Sequence, residues 1–200
     1  MRIMKTNVQI LESDCWFKGW ALDFHTISSV LLPDGRFNTD RTKLGEALFR
    51  LKYGPDIRQV EPIADTVSNF LLSNDNQWWF KWLSAIIPVP PSNKNRTFQP
   101  VLELAKAISI KSGIMCHEDY LGKVKETEQL KNLDDIETRY LQLKGAFAVK
   151  DNRFFNKTVL VFDDLYRSGE TLESICKTIR EKGNASFIYV LTVTKTRVKK

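Results

Sequence analysis

Residues 159–171 have the sequence VLVFDDLYRSGET, and this stretch decides the fold class. The apolar run over 158–162 predicts a strand that is buried on both faces of a parallel sheet. Asp163 and Asp164 follow directly, and a short polar loop then leads into a predicted helix over 171–182. Ligands of open α/β sheets bind at the carboxyl ends of the strands, which is where the two carboxylates fall.

The residues around this stretch continue the alternation of strands and helices. A short apolar run over 84–89 predicts a strand that enters a rigid, proline-rich loop. Helical spacing of apolar residues over 98–108 predicts a helix that ends near Gly113. A β-branched and aromatic run over 187–193 predicts a last strand. This order predicts an α/β fold with a parallel sheet and right-handed strand–helix–strand crossovers.

The first 80 residues are less regular. Partial alternation of apolar residues over 14–31 predicts short strands that could form a hairpin. Helices are predicted over 42–53, ending at Gly54, and from Pro62 onward. An aromatic cluster at 78–82 favours core packing, or a cap over the sheet, rather than a platform for stacked bases.

Composition and charge limit the class of protein. The 200 residues are 42% hydrophobic and 27% charged, which is typical of a globular protein. No apolar run is long enough to span a membrane, and no signal-peptide pattern opens the chain. Cys15, Cys116 and Cys176 are far apart, which argues against disulfides and a closed zinc site and predicts a cytoplasmic protein. The net charge of +6 suits either a polyanionic small substrate or nucleic acid.

The loop after the two carboxylates has the chemistry of a phosphate site. A helix amino terminus offers free backbone N–H groups and the positive end of the helix dipole. Ser168 and Thr171 add hydroxyl donors, while Arg167 adds positive charge. Gly169 lets the backbone approach an anion. Because the carboxylates can accept hydrogen bonds from the vicinal hydroxyl groups of a sugar, the whole pattern predicts a site for a ribose 5-phosphate.

A purely structural interpretation is also open, in which the carboxylates end a strand and Ser168 caps a helix. Two common phosphate-binding patterns, Gly-x-x-x-x-Gly-Lys-Ser/Thr and Gly-x-Gly-x-x-Gly, do not occur in the sequence. His25 and His117 are expected to be structural or solvated, so the sequence offers no obvious general base.

Residues 117–138 are polar and rich in charge, with almost no apolar periodicity. Long segments of this kind in compact domains are usually either functional or disordered. The sequence therefore predicts a mobile loop.

Residues 158–172 resemble the signature with which class I phosphoribosyltransferases bind 5-phosphoribosyl-1-pyrophosphate (PRPP). The region 85–196 is similar to the ComF (competence protein F-like) branch of that family, and residues 23–53 are similar to its amino-terminal region. Four motifs carry the likeness in the same order, namely Pro88-Val89-Pro90, Arg96-Thr97-Phe98-Gln99, Leu143-Lys144-Gly145-Ala146-Phe147 and Tyr189-Val190-Leu191-Thr192.

The resemblance implies a fold, a site and a metal ion. The fold is a parallel sheet flanked by helices, with a phosphoribosyltransferase core at 81–200 and a small hood, or cap, at 1–80. Asp163 and Asp164 would be catalytic residues that hold the ribose hydroxyls. Mg²⁺ would be bound through the pyrophosphate and not by protein side chains alone. The residues that would wrap the 5-phosphate are Tyr166, Arg167, Ser168, Gly169, Glu170 and Thr171.

Further residues follow from the same resemblance. The pyrophosphate would lie in the loop after Pro88, with Lys94 and Arg96 as candidate contacts. The segment 117–138 would match the flexible loop of the family. Its candidate anion contacts are Lys123, Lys125 and Lys131.

Two features depart from the ComF pattern. The chain lacks the four-cysteine zinc module of many ComF-like proteins, and Glu170 puts a carboxylate inside the phosphate loop. The resemblance implies transfer of a phosphoribosyl group to an unknown nitrogen acceptor with release of pyrophosphate. Two alternatives stay open: a PRPP- or nucleotide-binding module without transfer activity, and an accessory protein of DNA uptake that binds single- or double-stranded DNA. A homodimer is also open.

Overall fold

A computed structural model describes residues 3–54, 56–93, 96–124, 143 and 145–197 of the chain. Within these residues a five-stranded sheet forms the centre of the protein. Its strands, in spatial order, are β1 (Gln9–Ile10), β2 (Lys18–Phe24), β9 (Phe187–Lys195), β8 (Thr158–Tyr166) and β5 (Leu83–Pro88). The pairs β2–β9, β9–β8 and β8–β5 are parallel, and β1 is antiparallel to β2.

Helices cover both faces of this sheet. They are α1 (Lys43–Tyr53), α2 (Val60–Leu72), α3 (Gln77–Phe80), α4 (Pro100–Ser112) and α5 (Glu170–Gly183). Apolar side chains of α1, α2 and α4 pack on one face, and those of α5 pack on the other. The predicted α/β fold, with a mostly parallel sheet flanked by helices, is therefore confirmed. None of the helices in the described parts of the chain is long and apolar enough to cross a membrane.

Strand β8 shows why the sheet is buried on both sides. Val159 and Val161 belong to the core beneath α5, whereas Leu160 and Phe162 belong to the core beneath α1, α2 and α4. All four side chains are completely buried, as the continuous apolar run predicts. The strand is longer than expected, however, because its pairing with β9 continues to Tyr166. The two carboxylates thus lie within β8, and α5 begins one residue earlier than predicted.

The hairpin predicted over 14–31 is wrong. Strand β2 runs parallel to β9, and the next segment turns away to form a separate hairpin of β3 (Thr26–Leu31) and β4 (Phe37–Arg41). Alternation along one segment reveals a strand but not its partner, which here lies far along the chain. The division of the chain at residue 80 stays a prediction, although β2 joins the same sheet as the strands of residues 81–200.

Helix α1 is held tightly against the end of β2. The Thr42 hydroxyl accepts a hydrogen bond from the Gly45 amide at 3.0 Å and donates one to the Phe24 carbonyl at 2.7 Å. A Cβ atom on Gly45 would overlap the backbone carbonyl oxygen of His25. The helix ends at Tyr53 as predicted. Helix α2 begins at Val60 rather than Pro62, because a short 3₁₀ turn at Ile57–Gln59 leads into it.

The aromatic cluster at 78–82 is only partly buried. Trp79 is 1% exposed and stacks on Trp20 and Tyr189, with ring centroids 4.9 and 4.6 Å away. Trp78 and Trp82 are 48% and 66% exposed. The prediction of core packing therefore holds for Trp79 and is wrong for Trp78 and Trp82. Trp78 lies on an outward face of the short helix α3, and Trp82 lies beyond the end of that helix.

The predicted mobile loop is ordered over its first part. Strand β6 (Leu121–Lys123) pairs with β7 (Phe147–Val149), and Tyr120 is completely buried beside them. The Asp119 carboxylate binds Lys150 at 2.8 Å and Arg153 at 3.0 Å. Residues 117–124 thus belong to the folded body, since Tyr120 anchors a segment whose polarity suggested a loop. Residues 125–138 lie outside the described residues.

The close contact between α1 and the end of β2 predicts that substitution of Gly45 destabilises the fold. We expect Gly45→Ala to lower the free energy of unfolding by about 1–3 kcal/mol, because the added methyl group meets a backbone atom that cannot rotate away. Urea denaturation measures this change. Gly122→Ala is the matched control, since its Cβ would meet only the Ala148 carbonyl at 4.0 Å. Equal stability of the two variants would contradict the packing described here.

Candidate functional site

A cleft of about 590 Å³ opens at the carboxyl ends of β5 and β8. Strand β5 stops at Pro88, opposite Phe162, whereas β8 runs four residues further. Among the described residues, no strand pairs with β8 beyond that point on its β5 side, and this end of β8 borders the cleft. The walls come from the loop after β5, the end of α1, the starts of α4 and α5, and residues of the β6–β7 region.

Asp164 is held by a lysine from the first half of the chain. The Lys52 ammonium, at the end of α1, lies 3.0 Å from Oδ1 and 2.9 Å from Oδ2 of Asp164. The Lys52 side chain is 20% exposed and that of Asp164 is 9% exposed. Burial alone would lower the pKa of Lys52, but the charges of Asp164 and Asp163 outweigh burial and raise this pKa. Lys52 is therefore a fixed positive charge in the cleft.

Asp163 lies in a different electrostatic environment. Its Oδ1 accepts a hydrogen bond from the backbone amide of Asp164 at 2.8 Å. Burial, followed by the charge of Asp164, raises the pKa of Asp163 well above the ordinary value, and Lys52 offsets only part of this rise. The pair is thus asymmetric: Asp164 is bound to a cation, and Asp163 is the carboxylate that gains most from a hydrogen-bond donor or a positive charge.

The turn between β8 and α5 requires glycine. Gly169 has a φ of +93°, and a Cβ atom there would lie 2.6 Å from the Tyr166 hydroxyl. Gly169 is the N-cap of α5, and among the described residues no side chain caps this helix. Backbone N–H groups of the first turn are thus open to an anion, as at other helix amino termini. The interpretation of Ser168 as a helix cap is wrong.

Glu170 is the first residue of α5, and its carboxylate accepts a hydrogen bond from the Ser168 hydroxyl. A carboxylate at this position benefits from the helix dipole, but it also places negative charge beside the predicted phosphate position. The Glu170 carboxylate therefore lies in this loop, as expected from the sequence, and the phosphate position stays a prediction. Among residues 166–171, Arg167 and Thr171 line the cleft, whereas the Tyr166 ring packs beneath Gly169.

The candidate pyrophosphate contacts are brought to the same cleft only in part. Arg96 lines it and donates a hydrogen bond to the backbone carbonyl of Lys52. The Gln99 amide holds the same loop through the carbonyls of Asn93, at 2.8 Å, and Arg96, at 2.9 Å. Lys123 also lines the cleft. The other three candidates from the sequence fall on residues that are not described, namely Lys94, Lys125 and Lys131.

Sequence reasoning missed Lys52, because a lysine in the last turn of an amphipathic helix is usually solvated. The only signal was its place near the end of residues 23–53, the segment that resembles the ComF amino-terminal region. His25 is half-buried, as expected for a structural residue, and its Nδ1 lies 3.2 Å from the Thr194 hydroxyl. Burial, with the charges of Arg41 and Lys52, lowers the pKa of His25 to about 4, so this imidazole is neutral at physiological pH.

No protein-family model matches the chain, and no curated protein matches it in sequence. Among solved structures, it is similar to the glutamine PRPP amidotransferase from B. subtilis, complexed with ADP and GMP, at 14% identity and a TM-score of 0.49. That alignment covers 82% of this chain and 35% of the amidotransferase, so this chain spans about a third of that length.

Two further solved structures are similar over more of their own length. Orotate phosphoribosyltransferase from Francisella tularensis is 16% identical with a TM-score of 0.39, covering 84% of this chain and 78% of that chain. Adenine phosphoribosyltransferase from Leishmania tarentolae is 10% identical with a TM-score of 0.44. That alignment covers 95% of this chain and 100% of the adenine phosphoribosyltransferase. The function proposed below rests on the residues of this chain, and the ComF branch stays a prediction.

The raised pKa of Asp163 predicts a pH-dependent effect on stability. A carboxyl group whose pKa is higher in the folded state stabilises the fold below its unfolded pKa of about 3.9, and this contribution is lost as pH rises through the folded pKa. Asp163→Asn should therefore match the wild type near pH 4 and melt at a higher temperature at pH 8, by about 2–4 °C for each kcal/mol gained.

Calorimetry at the two pH values measures this difference. Asp164→Asn serves as the comparison, because it leaves the Lys52 ammonium without its carboxylate and should lower the melting temperature at pH 8. A higher melting temperature for both variants, or for neither, would contradict the asymmetry of the pair.

The position of Glu170 predicts that its substitution raises the affinity of the site for a phosphate group. A like charge about 4 Å away costs about 1 kcal/mol in water, so Glu170→Gln should bind ribose 5-phosphate about fivefold more tightly. Isothermal calorimetry at low salt measures the affinity. Glu173 lies one turn further along α5 and accepts a hydrogen bond from the Ser13 hydroxyl at 3.1 Å, so Glu173→Gln should change the affinity less. Weaker binding by Glu170→Gln would mean that this carboxylate supports the site.

Proposed function

We propose that the protein binds PRPP in this cleft and transfers its phosphoribosyl group to a nitrogen acceptor, releasing pyrophosphate. One observation carries the proposal. Among the described residues, the end of β8 that carries the carboxylate pair and the amino terminus of α5, which no side chain caps, border the same cleft. The turn that joins them requires glycine. A sugar diol and a phosphate on one small molecule match these two groups.

Each end of the substrate then has a partner in the chain. The 5-phosphate would accept hydrogen bonds from the first N–H groups of α5 and from the Thr171 hydroxyl, with Arg167 supplying charge. The ribose hydroxyls would donate to the carboxylates, chiefly to Asp163, since both oxygen atoms of Asp164 already bind Lys52. This division gives the two adjacent aspartates different tasks.

The leaving group would lie towards the loop after β5. Arg96 of this loop and Lys123 of β6 line the cleft, and Lys94 of the same loop is a further candidate from the sequence. Mg²⁺ would be held through the pyrophosphate oxygen atoms, where it would neutralise the charge of the leaving group. The loop is kept in place by the Gln99 amide, so its backbone is positioned before the ligand arrives.

The reaction breaks the bond between C1 of the ribose and a pyrophosphate oxygen and forms a bond between C1 and the acceptor nitrogen. Positive charge develops on the ribose ring as pyrophosphate departs. The Asp163 and Asp164 carboxylates stabilise this charge, and the α5 amino terminus fixes the far end of the sugar. Catalysis on this account is positioning together with electrostatic stabilisation.

A second candidate is a PRPP- or nucleotide-binding module without transfer activity. The Ser168–Glu170 hydrogen bond favours it, because a phosphate would have to compete with the Glu170 carboxylate for this hydroxyl. Release of pyrophosphate separates the two candidates. Binding of PRPP without turnover, across a panel of nitrogen bases, would select the binding module.

Binding itself tests both candidates. PRPP with Mg²⁺ should raise the melting temperature of the wild type by mass action. Asp163→Asn should weaken PRPP binding about tenfold or more, because a hydrogen bond to a charged group contributes about 1.5–3 kcal/mol. Asp75→Asn, an exposed aspartate in a turn, is the control and should bind as the wild type does. No thermal shift at millimolar PRPP would rule out the proposed function.

A further inference from the structure

The Lys52–Asp164 contact joins parts of the chain that are far apart in sequence. The two residues are separated by 112 positions, and the ammonium lies within 3.0 Å of both carboxylate oxygen atoms. The ammonium therefore lies where a carboxylate that binds through both oxygen atoms would hold a metal ion. Both side chains are largely withdrawn from water, so the contact is screened less than a surface ion pair.

Two adjacent carboxylates in a partly buried cleft need compensation. Without it, desolvation and mutual repulsion disfavour the charged forms of both groups. A protein can supply the missing charge as a proton, as a metal ion or as a basic side chain. Here the described residues supply a lysine, held at the end of α1 by the packing of that helix on β2.

We infer that the Lys52 ammonium is a resident cation that occupies the place of a divalent metal ion beside Asp164. Oxygen atoms of carboxylates are the ligands that Mg²⁺ and Mn²⁺ prefer, and Lys52 already uses both oxygen atoms of Asp164. The ligand-free site therefore needs no metal ion. Lys52 is a positioning residue, since it contacts Asp164 and acts on the substrate through that carboxylate.

This arrangement has a consequence for the sugar, which rests on the proposed function. Because the charge beside Asp164 is built into the chain, ribose 5-phosphate should bind without any divalent metal. Only ligands that carry pyrophosphate should then depend on Mg²⁺. Arg96 reinforces the link, because it donates a hydrogen bond to the Lys52 carbonyl and so ties the loop after β5 to the same residue.

Titration of the ligand-free protein with Mn²⁺, followed by calorimetry, tests the inference. The wild type should show no binding at the pair in the millimolar range. Lys52→Ala should bind one Mn²⁺ at least tenfold more tightly, and Lys52→Ala combined with Asp164→Asn should lose this gain. Lys52→Arg keeps the charge and should behave as the wild type. Lys123→Ala removes another lysine that lines the cleft and is the matched control.

Each outcome decides the question. If Lys52→Ala is folded, as judged by circular dichroism, and binds Mn²⁺ no more tightly than the wild type, the inference is overturned. Lys52→Ala that unfolds alone but regains its melting transition with Mn²⁺ or ethylammonium supports it, and failure of both cations to restore the fold overturns it.

A ribose 5-phosphate titration separates this inference from the proposed function. Metal-free binding by the wild type, together with Mn²⁺-dependent binding by Lys52→Ala, supports both. Absence of ribose 5-phosphate and PRPP binding by the wild type rejects the proposed function but leaves the Mn²⁺ result on Lys52→Ala unaffected. If ribose 5-phosphate binding by the wild type requires Mn²⁺, the inference about Lys52 is overturned and the proposed function is not.

Discussion

The rest of the structure depends on the surroundings of strand β8. Both faces of this strand are buried, one edge pairs with β9 along its whole length, and the other pairs with β5 only as far as Phe162. Charged groups are costly in such a strand except where the neighbouring strand stops. Asp163 and Asp164 stand at that point. The same constraint that makes the first half of β8 apolar therefore places two carboxylates at the edge of the cleft.

Charge balance then links this strand to the first half of the chain. The carboxylates create a need for positive charge, and α1 meets it because Lys52 is its penultimate residue. Helix α1 can approach this closely because Gly45 has no side chain where the helix crosses the end of β2. A glycine at one end of a helix thus permits an ion pair at the other. Stability and binding depend on the same helix.

Local sequence patterns predicted the elements whose causes are local. The apolar run of β8, the amphipathic pattern of α1 and the Gly113 terminus of α4 each depend on neighbouring residues, and all three were predicted. The partner of β2, the exposure of Trp78 and the position of Lys52 depend on segments far away in sequence, which periodicity does not report. For the candidate site, the sequence indicated the carboxylates and the glycine turn. The cation beside Asp164 became visible only once α1 had been placed.

The parallel pairing of β2 with β9 also bears on how the chain folds during synthesis. His25 and Thr194, which meet through a side-chain contact, are 169 residues apart. Strand β2 is therefore translated long before its neighbour in the sheet, and its edge stays unpaired until residues 187–195 leave the ribosome. Lys52 is likewise synthesised long before Asp164, the residue with which it forms an ion pair. Until β9 pairs with β2, the nascent chain exposes the edge of an apolar strand, and such unpaired edges are prone to aggregate.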